Sequence, residues 1–184
     1  MKNLFALLSS LLIAAFIIGC GGSSKTGLSD VSEGEVPEWF SNSPVDPNFL
    51  YAPRTATSQD MQLAIDKAAT DGRTEIGRQV ETKLSALQKK FVEETGMGKD
   101  AQLLSMFTSA SKTVVSTSLS GSRIAKQKIQ KESGLFRAYV LIEYPIGSMN
   151  SALVDQIKKN EQMYTRFRAS QTFDELEKET QKYE

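Results

Sequence analysis

Apolar positions along this chain change period from block to block, and each period predicts a different element. At 100° per residue, Met61, Ile65, Ala68, Ala69, Gly72, Ile76, Val80, Leu84, Leu87 and Phe91 share one broad face, while Asp71, Glu75, Arg78, Glu81 and Lys89 fall outside it. That spacing predicts a long amphipathic helix over about 59–94, with Ser58 as its N-cap and Asp60 in its first turn. Gly96 and Gly98 stop it. Asp100 is placed to cap a second helix carrying Leu103, Leu104, Phe107, Ala110 and Val114. Two helices joined by so short a turn form an antiparallel hairpin. Nine of the fifteen residues from Thr108 to Ser122 are Ser or Thr, which reads as a fading helix followed by a turn at Gly121.

The strands are shorter. Phe49-Leu50-Tyr51-Ala52 reads as one, and Pro53, which has no N–H, either ends it or places it at a sheet edge. Arg123 to Glu132 alternates loosely, as an exposed edge strand does, and Lys126, Lys128 and Lys131 suit such an edge. Ser133-Gly134 makes a turn into Leu135–Tyr144, the strongest strand pattern in the chain, which Pro145 ends. A third helix is expected from about Ser148, with Leu153, Ile157, Tyr164 and Phe167 on one side. Thr172-Phe173-Asp174-Glu175 matches a capping box, so a new helical segment is expected there. Its apolar residues Phe173, Leu176 and Tyr183 point away from the preceding stripe. They either pack on their own domain or form a docking surface for a neighbour. The expected fold class is α+β, a two-layer domain in which a helical hairpin and C-terminal helix pack on a small antiparallel sheet.

The N-terminus has a different character. Lys2 precedes an apolar run from Leu4 to Ile18, broken only by Ser9 and Ser10. A run of about 15 residues suits a signal peptide and falls short of the roughly 20 needed to span a bilayer. Ile17-Ile18-Gly19-Cys20 fits a bacterial lipobox, with the cysteine as first mature residue. Gly21-Gly22-Ser23-Ser24-Lys25-Thr26-Gly27 follows as a tether, and the stretch to Val36 is short of large apolar residues. The expected organisation is a signal peptide over 1–19, an acylated Cys20 with a linker over 20–35, an α+β domain over 36–146 and a helical extension over 147–184. The expected lipid is a covalent diacylglycerol and an N-acyl chain, such as palmitate, on Cys20. Three acyl chains, at about 0.8 kcal/mol per buried CH₂, hold a protein on a membrane almost permanently. Gly21 in place of Asp removes the usual inner-membrane retention signal, so in a host with two membranes the outer one is the expected location.

Composition narrows the chemistry. The chain has 184 residues, 22 Lys plus Arg against 22 Asp plus Glu, one Cys and no His. A balanced charge removes the main electrostatic term for nucleic-acid binding, so no nucleic-acid partner is expected. Without His, the commonest general base and zinc ligand are missing, and with Cys20 acylated no thiol nucleophile remains. No phosphate loop, calcium loop or dinucleotide fingerprint is present. The acidic pairs Glu93-Glu94 and Glu177/Glu179 read as solvated charges. No catalytic residue, no metal site and no other cofactor is expected, and the chain does not read as an enzyme. The remaining candidates are aromatic: Trp39 covers an edge of the core or, with Tyr51 and Tyr139, contacts a ligand.

The order of features is itself informative. A lipobox and linker precede Pro37-Glu38-Trp39 and a short strand. An Ala-rich helix follows with Ala64, Ala68 and Ala69, running on to Ile76-Gly77. A second helix closes in Ser118-Leu119-Ser120-Gly121, before a hairpin ending in Tyr139-Val140-Leu141. Over about 36–146 this resembles the Lpp family of twenty-kilodalton bacterial surface lipoproteins, and is similar to domains of flagellar basal-disk and outer-membrane collar lipoproteins. The resemblance implies a small α+β domain with an assembly or surface role and no catalytic residues. The expected partners are the membrane, through the lipid anchor, and further copies of the chain or other envelope proteins.

Overall fold

The computed structural model describes residues 35–181. The expected signal peptide, Cys20 and most of the linker lie outside these residues, as does Tyr183. Among the described residues six α-helices pack on a three-stranded antiparallel sheet, an α+β fold. In chain order the elements are α1 (Glu38–Ser41), β1 (Phe49–Ser58), α2 (Met61–Thr95), a 3₁₀ turn (Met97–Lys99), α3 (Ala101–Gly121), β2 (Arg123–Glu132), β3 (Leu135–Pro145), α4 (Ile146–Lys159), α5 (Glu161–Phe167) and α6 (Gln171–Thr180).

The sheet order is β1-β3-β2, so the strongest strand pattern occupies the centre. β1 pairs with β3 from Phe49 opposite Pro145 to Ser58 opposite Phe136. Pro53 does not end β1. It sits in the middle of a ten-residue strand whose outer side has no strand partner, where a missing N–H breaks no ladder bond. β2 pairs with β3 along its length apart from an irregularity between Ile124 and Lys126. Ser133 (φ 49°) and Gly134 (φ 84°) both adopt positive φ in the turn between them, the backbone of a tight hairpin that follows the natural strand twist.

Alternation along β3 assigns the two sheet faces. Val140, Ile142 and Tyr144 face the helices. α2 crosses this face so closely that a Cβ on Gly72 would stand 2.3 Å from Cγ1 of Ile142. Ala68, Ala69, Ile76, Val80 and Leu84 continue the buried stripe of α2, whereas Met61, at its first turn, is exposed. The N-cap of α2 is Asp60 rather than Ser58. The Asp60 carboxylate accepts the Leu63 N–H at 2.7 Å, and the Ser58 hydroxyl accepts only the N–H of Asp60. The longer β1 explains the change, since Ser58 is its last residue. Asp100 caps α3 in the same way, accepting from Leu103 N–H at 3.0 Å.

α3 does not fade within its Ser/Thr-rich stretch but stays helical to Gly121. Thr108, Thr113 and Thr117 turn their hydroxyls back onto the carbonyls four residues earlier, so the polar side chains coexist with the helix ladder.

The C-terminal helices close the same core. Leu153, Ile157, Phe167, Phe173 and Leu176 belong to one buried cluster with Ile76, Leu84, Phe91 and Phe107. Residues 147–181 are thus part of the domain rather than an appendage to 36–146. At the far end of the α2–α3 hairpin, Phe91 stacks on Phe167 with centroids 4.4 Å apart, and Phe107 meets both rings edge-on.

Candidate functional site

Two regions hold the candidate chemistry: the sheet face away from α2, and a cleft between α2, α4 and α6. On the outer face Tyr51 lies opposite Glu143, and Tyr139 lies opposite Thr55 and Lys128. Four residues of strand, about 13 Å, separate the two tyrosines. α1 covers part of this face. Phe40 meets the Tyr139 ring edge-on at 5.0 Å, and Trp39 meets Phe40 at 6.4 Å. Tyr139 is buried beneath this cover. Tyr51 stacks instead on Phe49 at 6.0 Å. Its phenol is pushed above the ordinary tyrosine value by burial first, then by the charges of Glu143 and Asp46. Trp39, Tyr51 and Tyr139 therefore share a face but do not converge on one pocket. Trp39 and Tyr139 are linked through Phe40, and Tyr51 stands apart.

The segment leading into α1 is anchored from β2. The carbonyl of Glu35 accepts from the Lys128 ammonium and, at 2.9 Å, from the Gln130 amide. Beneath it, Oγ1 of Thr55 and Oε1 of Gln130 are buried without a hydrogen-bond partner.

The two sheet edges differ. On β1 the carbonyl of Tyr51 accepts from the Gln79 amide at 3.0 Å and that of Pro53 accepts from the Arg54 guanidinium at 2.7 Å. Arg54 in turn pairs with Glu75 at 2.6 Å, and Glu75 also takes Arg78. The Glu75 carboxyl lies below its ordinary value, chiefly through its hydrogen bond to Arg78. Gln79 of α2 and Arg54 of β1 itself thus occupy carbonyls at the β1 edge, while half of the β2 residues are exposed at the opposite one.

The cleft encloses about 490 Å³. Leu87, Ile146, Met149 and Leu176 form its apolar walls, Lys83 and Lys90 reach it from two turns of α2, and Asn150 and Glu179 supply polar groups. The Asn150 amide donates to the Glu179 carboxylate at 2.6 Å. Lys90 lies 3.8 Å from Glu175.

Phe173 and Leu176 face inward and are buried, so neither is available to a docking partner. The first turn of α6 explains why. Its N-cap is Ser170, whose hydroxyl accepts the Phe173 N–H at 3.3 Å, and not Thr172 as the capping-box pattern suggests. This sets α6 two residues earlier and turns Phe173 toward Tyr164, whose ring it meets at 5.9 Å. Thr172 binds Glu94 instead. Three of the four acids expected to be merely solvated prove to be tethers: Glu94 holds Thr172, Glu177 pairs with Lys158 at 2.6 Å, and Glu179 holds Asn150, while Glu93 is exposed. The Lys158 ammonium is held charged above its usual value, mainly by the Glu177 hydrogen bond. These links join residues 19 to 78 positions apart, for which the chain offers no local signal. Lys83 and Lys90, seven apart on one helix, are on a common face by spacing alone.

Among the described residues no group of three or more acidic or thiol side chains is placed to hold a metal ion, and no helix is long and apolar enough to cross a membrane. No protein-family model matches the chain, and no curated protein is significantly similar to it.

Proposed function

We propose that this chain is an acyl-anchored lipoprotein of the bacterial cell envelope whose α+β domain has a structural or protein-interaction role, in an outer-membrane-associated assembly such as a ring or motility complex. The observation that carries the reading is the sequence Ile17-Ile18-Gly19-Cys20, with its apolar run before and its Gly/Ser tether after. The resemblance of residues 36–146 to the Lpp surface lipoproteins supports it. So does the difference between the sheet edges, because β2 is an edge strand with no strand on its outer side while side chains of Gln79 and Arg54 occupy carbonyls of β1. With Phe173 and Leu176 buried, association falls to the β2 edge.

The test is the solution mass, by light scattering after size exclusion, of the chain beginning at Gly21. A discrete oligomer supports assembly, and a monomer that stays monomeric with envelope extract removes self-association from the reading. The second reading, a ligand-binding module, is favoured by the cleft beneath Lys83 and Lys90. Thermal-shift titration with anionic envelope fragments tests it, and a response abolished by Lys83→Glu supports it.

A further inference from the structure

The cleft between α2, α4 and α6 carries charge of both signs beside an apolar lining. Leu176 and Met149, both buried, and Leu87 and Ile146, partly buried, supply that lining. Lys83, Lys90 and Glu179 are exposed and stand at the rim.

The run of the helices decides which charges share an end. α6 returns along α2: Thr172 binds Glu94 and Glu175 lies 3.8 Å from Lys90, so Glu179, one turn further on, lies toward Lys83. α2 passes the start of β1 in the same direction. Gln79 reaches the Tyr51 carbonyl, and Lys83, one turn beyond, lines the cleft with Pro47 and Asn48. The Asn48 carbonyl accepts the Ile146 N–H at 2.8 Å, which holds the first turn of α4, with Met149 and Asn150, at this same end.

Lys83 and Glu179 thus flank one end of the cleft without pairing. Among the described residues Lys83 has no acidic partner. Glu179 is held by Asn150, whose Nδ2 donates to Oε2 at 2.6 Å. Asn150 is only 3% exposed, and its Oδ1 and the Oε1 of Glu179 take no hydrogen bond from any described residue. This end therefore offers one cation, two acceptors and an apolar wall. Glu175 and Glu179 offset Lys90 and Lys83, so no cationic surplus is left to neutralise several phosphates. An aliphatic chain alone would leave Lys83 unpaired and both acceptors without a donor.

We infer that this end of the cleft binds a small zwitterion with a large apolar side chain, the chemistry shared by a free apolar amino acid and a short apolar peptide. Its carboxylate meets Lys83, its ammonium meets Glu179 and Oδ1 of Asn150, and its side chain lies on Leu87, Ile146, Met149 and Leu176. The inference rests on the ligand-binding reading of the cleft and assigns the ligand its two charges. A volume of about 490 Å³ is within the range of small-molecule sites.

The experiment is equilibrium dialysis of the full-length protein, in lipid nanodiscs, against radiolabelled L-leucine and L-leucyl-L-leucine. Two competitors each lack one charge: N-acetyl-leucine keeps the carboxylate and leucinamide keeps the ammonium. Saturable binding of either probe, with both analogues competing about tenfold more weakly, is the expected result. The tighter of the two probes identifies the source as amino acid or peptide. Lys83→Gln should weaken that probe by about the same factor and erase its preference over leucinamide. Lys83 is exposed and unpaired, so this substitution tests binding and not folding. Lys67→Gln, also exposed on α2 but outside the cleft, should change neither. Probe binding that Lys83→Gln leaves intact overturns the site. N-acetyl-leucine bound as tightly as leucine, and lost with Lys83→Gln, overturns the zwitterion and leaves a cleft for anions. Binding of neither probe and neither analogue overturns the ligand-binding reading and the zwitterion with it.

Discussion

Glu94, one residue from the end of α2, accepts both the hydroxyl of Thr172, at 2.6 Å, and its backbone N–H, at 3.0 Å, in the first turn of α6. A carboxylate at a helix N-terminus satisfies a donor that the helix itself cannot, and this one also ties together segments 78 residues apart. The Thr172 hydroxyl first, and then its N–H, hold the Glu94 carboxyl below its ordinary value. A carboxyl depressed in the folded state contributes stability that is fully present above its unfolded value, about 4.3, and is lost as pH falls through the folded one. Glu75 is depressed in the same sense. Acid should therefore loosen α6 and the Arg54–Glu75–Arg78 network together. Glu94→Gln should shrink the difference in urea midpoint between pH 7 and pH 3, and an undiminished difference would assign the acid sensitivity elsewhere.

Gly72→Ala should destabilise the domain by about 1–2 kcal/mol although alanine is the better helix former. The added methyl would stand 2.3 Å from Cγ1 of Ile142, fully buried in the central strand, with the Ala52 carbonyl oxygen 3.5 Å away. Denaturant unfolding reads this directly. A stabilised variant would mean that β3 yields to α2 without loss.

Asp60→Ala should cost about 1 kcal/mol, the usual effect of removing an N-cap, while Ser58→Ala should cost much less. The contrast, measured by thermal unfolding of both variants, separates the residue that holds the Leu63 N–H from the one that closes β1.

Ser133→Asn should raise stability by about 0.5 kcal/mol. Ser133 has φ 49° and precedes Gly134 at 84°, and Asn-Gly is the pair that this backbone favours. A fall in melting temperature would show that the serine side chain supports the turn in another way.

Much of this architecture was legible in the residue pattern because the signals are local. The α2 stripe, the Asp100 cap, the Ser133-Gly134 turn and the apolar run of β3 each depend on neighbours within about one turn or one strand. What escaped depends on partners far along the chain. Pro53 alone cannot tell a strand's end from an edge, and only the ladder to Leu141 decides it. Thr172 and Glu175 match a capping box, but Ser170 takes the cap because Glu94 claims Thr172. The aromatic candidates failed to converge for the same reason: which strand face Tyr51 and Tyr139 share, and that α1 covers one of them, follows from register and not from composition. The cleft is assembled from α2, α4 and α6, and no single stretch of sequence contains it.

The triangle of Phe91, Phe107 and Phe167 has a consequence for synthesis. Its first two rings belong to α2 and α3, and the third arrives only with α5. A nascent chain that has formed only the hairpin therefore has Phe91 and Phe107 against each other but open on the side that Phe167 covers, until the sheet and α4 have followed. The hairpin tip is closed only when Phe167 packs against both rings, so the last aromatic contact of this cluster waits on the segment furthest along the chain.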